Sequence, residues 1–285
     1  MSTLKIAVQK SGRLSEKSLQ LLKDCGIKLS NGERTLKATS TNFPVEILFL
    51  RDDDIPQYVE QGVADVGMLG ENEVWEKDKA VAIIRKLGFA NCRLSLAIPK
   101  DVAYTGIYYF NQKKIATSYP VILQQFLNDN DLEAEIETIS GSVEIAPGIG
   151  LADAIFDIVS TGSTLQINGL KEVEVVTQSE AVLISNKNLS PEKQEILDRL
   201  LFRVQSVKNA AENKYILLNA PNDAIEQIAA ILPGMKSPTV LPLKEPGWSS
   251  IHSVISEDAF WDNIDRLKAL GAEGILIVNV EKMIL

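Results

Sequence analysis

Histidine and cysteine are nearly missing from this 285-residue chain, which holds one His and two Cys. A lone His252 leaves few routes to a histidine metal cluster or a Ser-His-Asp triad. Cys25 and Cys92 are too few for a disulfide framework or a Cys-rich zinc site, and each reads as a small buried apolar residue. Positive charge is also in deficit: 29 Lys and Arg face 38 Asp and Glu, a formal charge of −9. That balance argues against a nucleic-acid partner. Any anionic ligand must be met locally, by Lys, Arg, backbone N–H or a metal, against an unfavourable global field. No apolar run approaches the roughly 18 residues of a membrane span, so no membrane partner is expected. Met1-Ser-Thr passes straight into Leu4 to Val8, too short and wrongly flanked for a signal peptide, and the expected address is cytoplasmic.

What is present is an ordinary globular composition, 45% apolar and 24% charged, with room for two or three domains. The most informative stretch is 155–169. An apolar run from Ala154 to Val159, broken by Asp157, leads into Ser160, Thr161, Gly162, Ser163 and Thr164 and then a short helical segment. A strand, a small-residue turn and a helix start aim several backbone N–H groups at one point, which suits a phosphate. The aspartate ahead of the turn is placed to accept hydrogen bonds from sugar hydroxyls. The plain alternative is the cap that any α/β unit uses.

Along the chain, buried strands (Leu4 to Val8, Val45 to Leu50, Gly62 to Gly70) alternate with helices, which points to a largely parallel α/β sheet. Ser15 is expected to cap the first helix, and Asp54 the short helix that Pro56 helps start. The pattern begins again at Lys114 to Thr117, and Gly150-Leu-Ala-Asp faintly echoes Gly62-Val-Ala-Asp. Two α/β lobes joined by crossover strands put a ligand in the cleft beside the strand carboxyl ends. Ser190-Pro-Glu starts a helix of about 20 residues, roughly 30 Å. The remainder reads β-α-β-β-α-β, a ferredoxin-like module without a cluster of acids, bases and nucleophiles.

Taken together, Gln9-Lys-Ser-Gly-Arg-Leu14, Arg51-Asp-Asp-Asp-Ile-Pro56, Asp65-Val-Gly-Met-Leu-Gly-Glu-Asn72 and Cys92-Arg-Leu-Ser-Leu-Ala97 resemble the ATP phosphoribosyltransferase family in its long form. So do Ile115-Ala-Thr-Ser-Tyr-Pro120, Gly141-Ser-Val-Glu-Ile-Ala-Pro147, Asp157-Ile-Val-Ser-Thr-Gly-Ser-Thr-Leu165, Gly169-Leu-Lys-Glu-Val-Glu-Val175, Leu267-Lys-Ala-Leu-Gly-Ala272 and Glu281-Lys-Met283. The match keeps its order over nearly the whole chain. It implies that adenine N1 of ATP attacks 5-phosphoribosyl 1-diphosphate, releasing diphosphate, in the first step of L-histidine biosynthesis. It further implies Mg²⁺, two periplasmic-binding-protein-like catalytic lobes and a C-terminal domain that binds histidine as feedback inhibitor. Dimers assembling to a hexamer, and no separate regulatory subunit, complete the expectation. The implied domains are 1–95 with 180–212 and 96–179 for the lobes, and 213–285 for regulation. A two-lobed binding or sensor protein without catalysis is the rival from another class; a last module serving assembly alone is a second.

Under that resemblance no Ser, Cys or His nucleophile is needed, because adenine N1 brings its own lone pair. The tasks are to align two polyanions and to stabilise the leaving diphosphate as ribose C1 becomes cationic. Asp157 is assigned to the ribose hydroxyls and Ser160 to Thr164 to the 5-phosphate. Many phosphoribosyltransferases place two adjacent acids before Thr-Gly-Gly; here a single acid precedes Thr-Gly-Ser. Lys10 and Arg13 are assigned, with Asp157, to catalysis and to ATP phosphates or diphosphate, solvated surface cations being the alternative. Gly70 and Glu71 are expected beside ATP, Glu71 otherwise capping a helix. Arg93 is assigned to ATP as a phosphate clamp, a surface salt bridge being the alternative. Glu144 and Glu71 are the metal candidates. For histidine the positions are Asn219, Ala220, Thr239, Ser253 and Gly274, each of which also suits an ordinary turn. His252 and Tyr119 read as packing residues.

Overall fold

The apolar runs 45–50 and 114–117 form strands with those bounds, and each is buried in a separate sheet of a computed structural model that describes residues 2–30 and 36–285. The chain divides into two compact units, Met1–Gln20 with Ile27–Ile196, and Leu21–Gly26 with Leu197–Leu285. In chain order the first lobe brings β1 Leu4–Gln9, α1 Arg13–Asp24, β2 Lys37–Thr39, β3 Val45–Leu50, α2 Ile55–Glu60, β4 Val66–Gly70, α3 Glu71–Lys77 and β5 Val81–Lys86. The second brings β6 Cys92–Pro99, β7 Lys114–Thr117, α4 Pro120–Asp129, β8 Glu135–Thr138, β9 Ala154–Val159, α5 Ser163–Ile167 and β10 Leu170–Ser179, and β11 Ala181–Asn186 returns to the first sheet.

The two sheets, β2-β3-β1-β4-β11-β5 and β10-β6-β9-β7-β8, repeat one plan. In each, a central strand pairs in parallel with two neighbours, β1 with β3 and β4, β7 with β8 and β9. An antiparallel crossover strand then closes on the third, β11 on β4 and β6 on β9. The faint Gly-x-Ala-Asp echo occupies equivalent places in the two sheets. Asp65 accepts the Lys5 amide at 2.8 Å and donates its own to the Lys5 carbonyl. Asp153 accepts the Lys114 amide at 2.9 Å and donates to the Lys114 carbonyl. Each aspartate thus pins the start of a third strand to the central one, and the glycine three residues earlier has positive φ in both.

Separate cores hold the lobes. Ala7, Ile55, Val59, Leu69, Val182 and Ile184 pack in the first; Leu94, Leu96, Phe110, Ile115, Leu123 and Phe156 pack in the second. Fully burying one such side chain contributes about 1.5–3 kcal/mol. Two local expectations are corrected. Helix α1 starts at Arg13, because the Gly12 carbonyl already accepts the Glu16 amide, so Ser15 lies buried inside the first turn rather than at the cap. Asp54 ends a 3₁₀ turn with helical backbone, and its side chain makes no cap bond. Strand β2 was not expected: its three residues carry no alternation long enough to read.

Helix α6, Pro191–Ala211, leads into the second unit, and the Ser190 hydroxyl accepts the Lys193 amide at its start. There follow β12 Asn213–Pro221, α7 Ile225–Ile231, β13 Thr239–Pro242, β14 Trp248–Ser256, α8 Glu257–Ala269 and β15 Glu273–Asn279. Their sheet order β13-β14-β12-β15, with antiparallel pairs throughout, is that of a ferredoxin-like module. Ile216, Leu218, Ile228, Leu232, Ile251, Phe260 and Leu267 fill the layer between sheet and helices.

Candidate functional site

The parallel strands decide where the candidates gather. The loops after β1, β3 and β4 carry Lys10 and Arg13, Arg51 to Asp54, and Gly70 with Glu71; those after β7, β8 and β9 carry Tyr119, Glu144 and Ser160 to Thr164. All six loops lie at strand carboxyl ends, where ligands of doubly wound sheets bind.

Asp157 sits near the carboxyl end of β9, partly buried, with its Oδ1 accepting the Ile158 amide at 2.7 Å. Burial raises its carboxyl to about 6; the Ile158 amide works against that rise and the Glu144 charge adds to it. Glu144, on the turn after β8, therefore stands near enough for its charge to act on Asp157. Beyond it the chain turns at Gly162, whose φ of +80° is left-handed. The Thr161 and Ser163 hydroxyls lie 3.0 Å apart and exposed, and the Gly162 carbonyl accepts the Gln166 amide, which starts α5.

Arg93 does not stand open. Its Nε and Nη2 donate to the two oxygens of Glu172 at 2.5 and 2.6 Å, and Nη1 donates to the Ser160 carbonyl at 3.0 Å. The Ser95 hydroxyl adds a 2.6 Å bond to Glu172. This bidentate pair raises the guanidinium and lowers the Glu172 carboxyl, and it braces the turn from behind. Lys10 and Arg13 are exposed at the end of β1 and the start of α1. Gly70 ends β4 and sits at the N-cap position of α3, and a Cβ there would collide with Asn72 Oδ1. Glu71 is buried and its carboxylate lies 3.0 Å from Lys86, at the strand crossing beside Glu180, so it is already ion-paired. Among the described residues no three His, Cys, Asp or Glu side chains are grouped to hold a metal ion.

Sequence reasoning passed over Glu73. It is buried on α3, accepts the Asn72 side-chain amide at 3.1 Å, and is raised to about 7 by burial, with Asp52 adding to the rise. Tyr119 is in turn raised by burial and by the charges of Glu73 and Asp157. Gln9 donates to Asp52 at 3.3 Å, which extends this polar line to the end of β1. The three acids of Glu-Asn-Glu-Val-Trp-Glu on one short helix were the available signal.

In the second unit the effector candidates separate. Thr239 and Ser253 line a cavity of about 540 Å³ with Tyr215, Lys236, His252 and Leu285. Asn219, Ala220 and Gly274 sit further along β12 and at the start of β15, with Ala220 fully buried. His252 is held by Tyr215 at 2.8 Å and Ser250 at 3.1 Å, a packed strand residue.

This arrangement has known relatives. Residues 51–206 match the HisG family, ATP phosphoribosyltransferase, and residues 210–282 match the HisG C-terminal domain. An ATP phosphoribosyltransferase of Bacteroides fragilis is 62% identical over 282 residues, 99% of this chain and all of the relative. The chain belongs to the ATP phosphoribosyltransferase family. A solved ATP phosphoribosyl transferase (HisG:HisZ) complex from Thermotoga maritima superposes with TM-score 0.61 at 28% identity, over 71% of this chain and 99% of that one. A histidine kinase sensor domain similar to periplasmic binding proteins gives TM-score 0.51 at 11% identity, over 73% of this chain and 91% of that one, a likeness of fold alone. The ATP phosphoribosyltransferase reading thereby displaces that of a two-lobed sensor. Among the described residues no helix is long and apolar enough to cross a membrane.

Proposed function

We infer that the cleft between the two lobes is where this member of the family joins ATP to the phosphoribosyl group, in the first step of L-histidine biosynthesis. The N1–C1 bond forms as the bond from C1 to diphosphate breaks, so positive charge grows on the ribose and negative charge on the leaving group. The observation that carries the placement is Asp157, a half-buried carboxylate at the end of β9 directly before the Ser160 to Thr164 turn. Its oxygens accept the ribose hydroxyls, and the turn's N–H groups and hydroxyls take the 5-phosphate. Lys10 and Arg13 supply positive charge to ATP and diphosphate from the facing lobe, beside Gly70. Arg93, through its bond to the Ser160 carbonyl, keeps the turn in place.

Enzymes of this family generally depend on a metal, and we assign Mg²⁺. Glu144 beside Asp157 suits an ion that keeps several waters and takes its other ligands from substrate phosphates, which needs only one or two protein carboxylates. Bound there, Mg²⁺ would neutralise charge on the leaving diphosphate. Glu71, tied to Lys86, is the weaker metal candidate. Turnover is tested by incubating the protein with ATP, 5-phosphoribosyl 1-diphosphate and Mg²⁺ and measuring phosphoribosyl-ATP and diphosphate. Folded protein that forms neither product would refute the reading.

We assign lobe I to 1–95 with 180–212, lobe II to 96–179 and regulation to 213–285. In the regulatory part, the cavity at Thr239 and Ser253 is the stronger place for L-histidine, and Asn219, Ala220 and Gly274 the weaker one. Histidine that neither binds nor slows turnover would leave this module an assembly role. Dimers assembling to a hexamer, a cytoplasmic address and no separate regulatory subunit complete the proposal.

A further inference from the structure

Helix α4 has a start that its own lobe does not complete. Pro120 is its first residue and has no N–H, and Tyr119 ahead of it offers no side-chain cap. The next two amides, Val121 and Ile122, would be orphan donors at the positive end of the helix. Both are taken by one residue of the other lobe: Val121 donates to Glu76 Oε1 and Ile122 to Glu76 Oε2, each at 3.1 Å. Glu76 is 9% exposed and lies three residues beyond Glu73 on α3, so the two point to one face of that helix. Glu73 itself accepts the Asn72 side-chain amide at 3.1 Å, within α3.

We propose that Glu76 is a positioning residue for phosphoribosyl transfer: it docks residues 121–122 of lobe II onto α3 of lobe I and so sets the lobe closure at which ATP meets the ribose. A carboxylate with one oxygen on each of two successive amides fixes both distance and angle. An apolar contact would allow the lobes to slide. Glu76 does not touch substrate in this account. Its effect runs through the relative placement of the two lobes, and an error of 1 Å in such placement costs about 100-fold in rate.

The inference rests on the phosphoribosyl-transfer reading, and its test is arranged to separate the two. Parent turnover tests the reading; the ratio of Glu76→Ala to parent tests the docking. In full-length protein with Mg²⁺, Glu76→Ala is expected to lose about 10- to 100-fold in kcat, while its calorimetric affinity for 5-phosphoribosyl 1-diphosphate falls far less, about threefold at most, because Asp157 and the 160–164 turn assigned to the ribose and 5-phosphate lie together on lobe II. Hydrogen exchange of the 121–122 amides is expected to quicken by about tenfold or more, a readout that needs no turnover. The proposal is overturned by a kcat within twofold of the parent, by unchanged exchange, or by affinity and kcat falling together with the folded fraction. The last result would make Glu76 a purely structural cap. Should Glu76→Ala fail to fold, Glu76→Gln, which keeps one acceptor, is read by the same outcomes.

Discussion

Replacing Glu73 by Gln should stabilise the protein, and by an amount that depends on pH. Glu73 is 8% exposed, and burial, with Asp52 and Asp53 nearby, lifts its carboxyl from 4.5 to about 7 against the opposing pull of Lys77 and the Tyr119 phenol. A raised acid binds its proton more tightly in the folded chain than in the unfolded one. Below about 4.5 both states hold the proton and the group contributes no difference. As pH rises from there to about 7 the folded state loses its advantage, and above 7 the full penalty of an ionised, buried carboxylate is present. At about 1.4 kcal/mol per pH unit that penalty is roughly 3 kcal/mol. Gln is neutral in both states and its carbonyl still accepts from the Asn72 side-chain amide. The variant should therefore gain roughly 2–3 kcal/mol on the parent between pH 5 and pH 8. Urea unfolding at a series of pH values, followed by Trp75 fluorescence with Trp248 and Trp261 replaced by Phe, measures this on α3 itself. A stability difference that does not change with pH, or that shrinks as pH rises, would refute the reasoning.

Three further outcomes follow from the site. Arg93→Lys cannot keep the two-pronged bond to Glu172 and the bond to Ser160 together, so stability should fall by about 1–2 kcal/mol and KM for 5-phosphoribosyl 1-diphosphate should rise; loss of ATP affinity alone would mean the guanidinium meets ATP directly. Gly162→Ala meets nothing closer than Val159 Cγ1 at 4.0 Å, so its cost is the left-handed backbone, about 1 kcal/mol in a urea midpoint analysis; a neutral result would show that the turn relaxes. Because Asp157 must be ionised to accept the ribose hydroxyls and titrates at about 6, kcat/KM for 5-phosphoribosyl 1-diphosphate should fall by about tenfold per pH unit below that value, and a flat profile to pH 5 contradicts its role.

Much of the fold was legible because buried strands announce themselves: the runs 45–50 and 114–117 needed no tertiary information, and the Gly-x-Ala-Asp echo marked two equivalent strand starts. The shape of the 160–164 turn was legible too, since a strand, a left-handed glycine and a helix start are consecutive in the chain. Features that depend on distant partners were not. Arg93 finds Glu172 79 residues away, on the neighbouring strand β10, where its register partner is Gln178, so no local pattern announces the pair. Glu73 and Glu76 were hidden by the rule that acids on a helix face solvent, a rule that fails where a second lobe covers that face. Glu71 looked open at a strand end until β11 and Lys86 closed over it.

The central claim is that Asp157 and the turn after it hold the ribose while adenine N1 displaces diphosphate. Its most direct test is the rate of phosphoribosyl-ATP formation by Asp157→Asn against the parent, with ATP, 5-phosphoribosyl 1-diphosphate and Mg²⁺ saturating. The variant should fold as the parent does and turn over about 100- to 1,000-fold more slowly, the loss of roughly 3–4 kcal/mol of transition-state stabilisation. Near-parental turnover by folded Asp157→Asn would contradict the account.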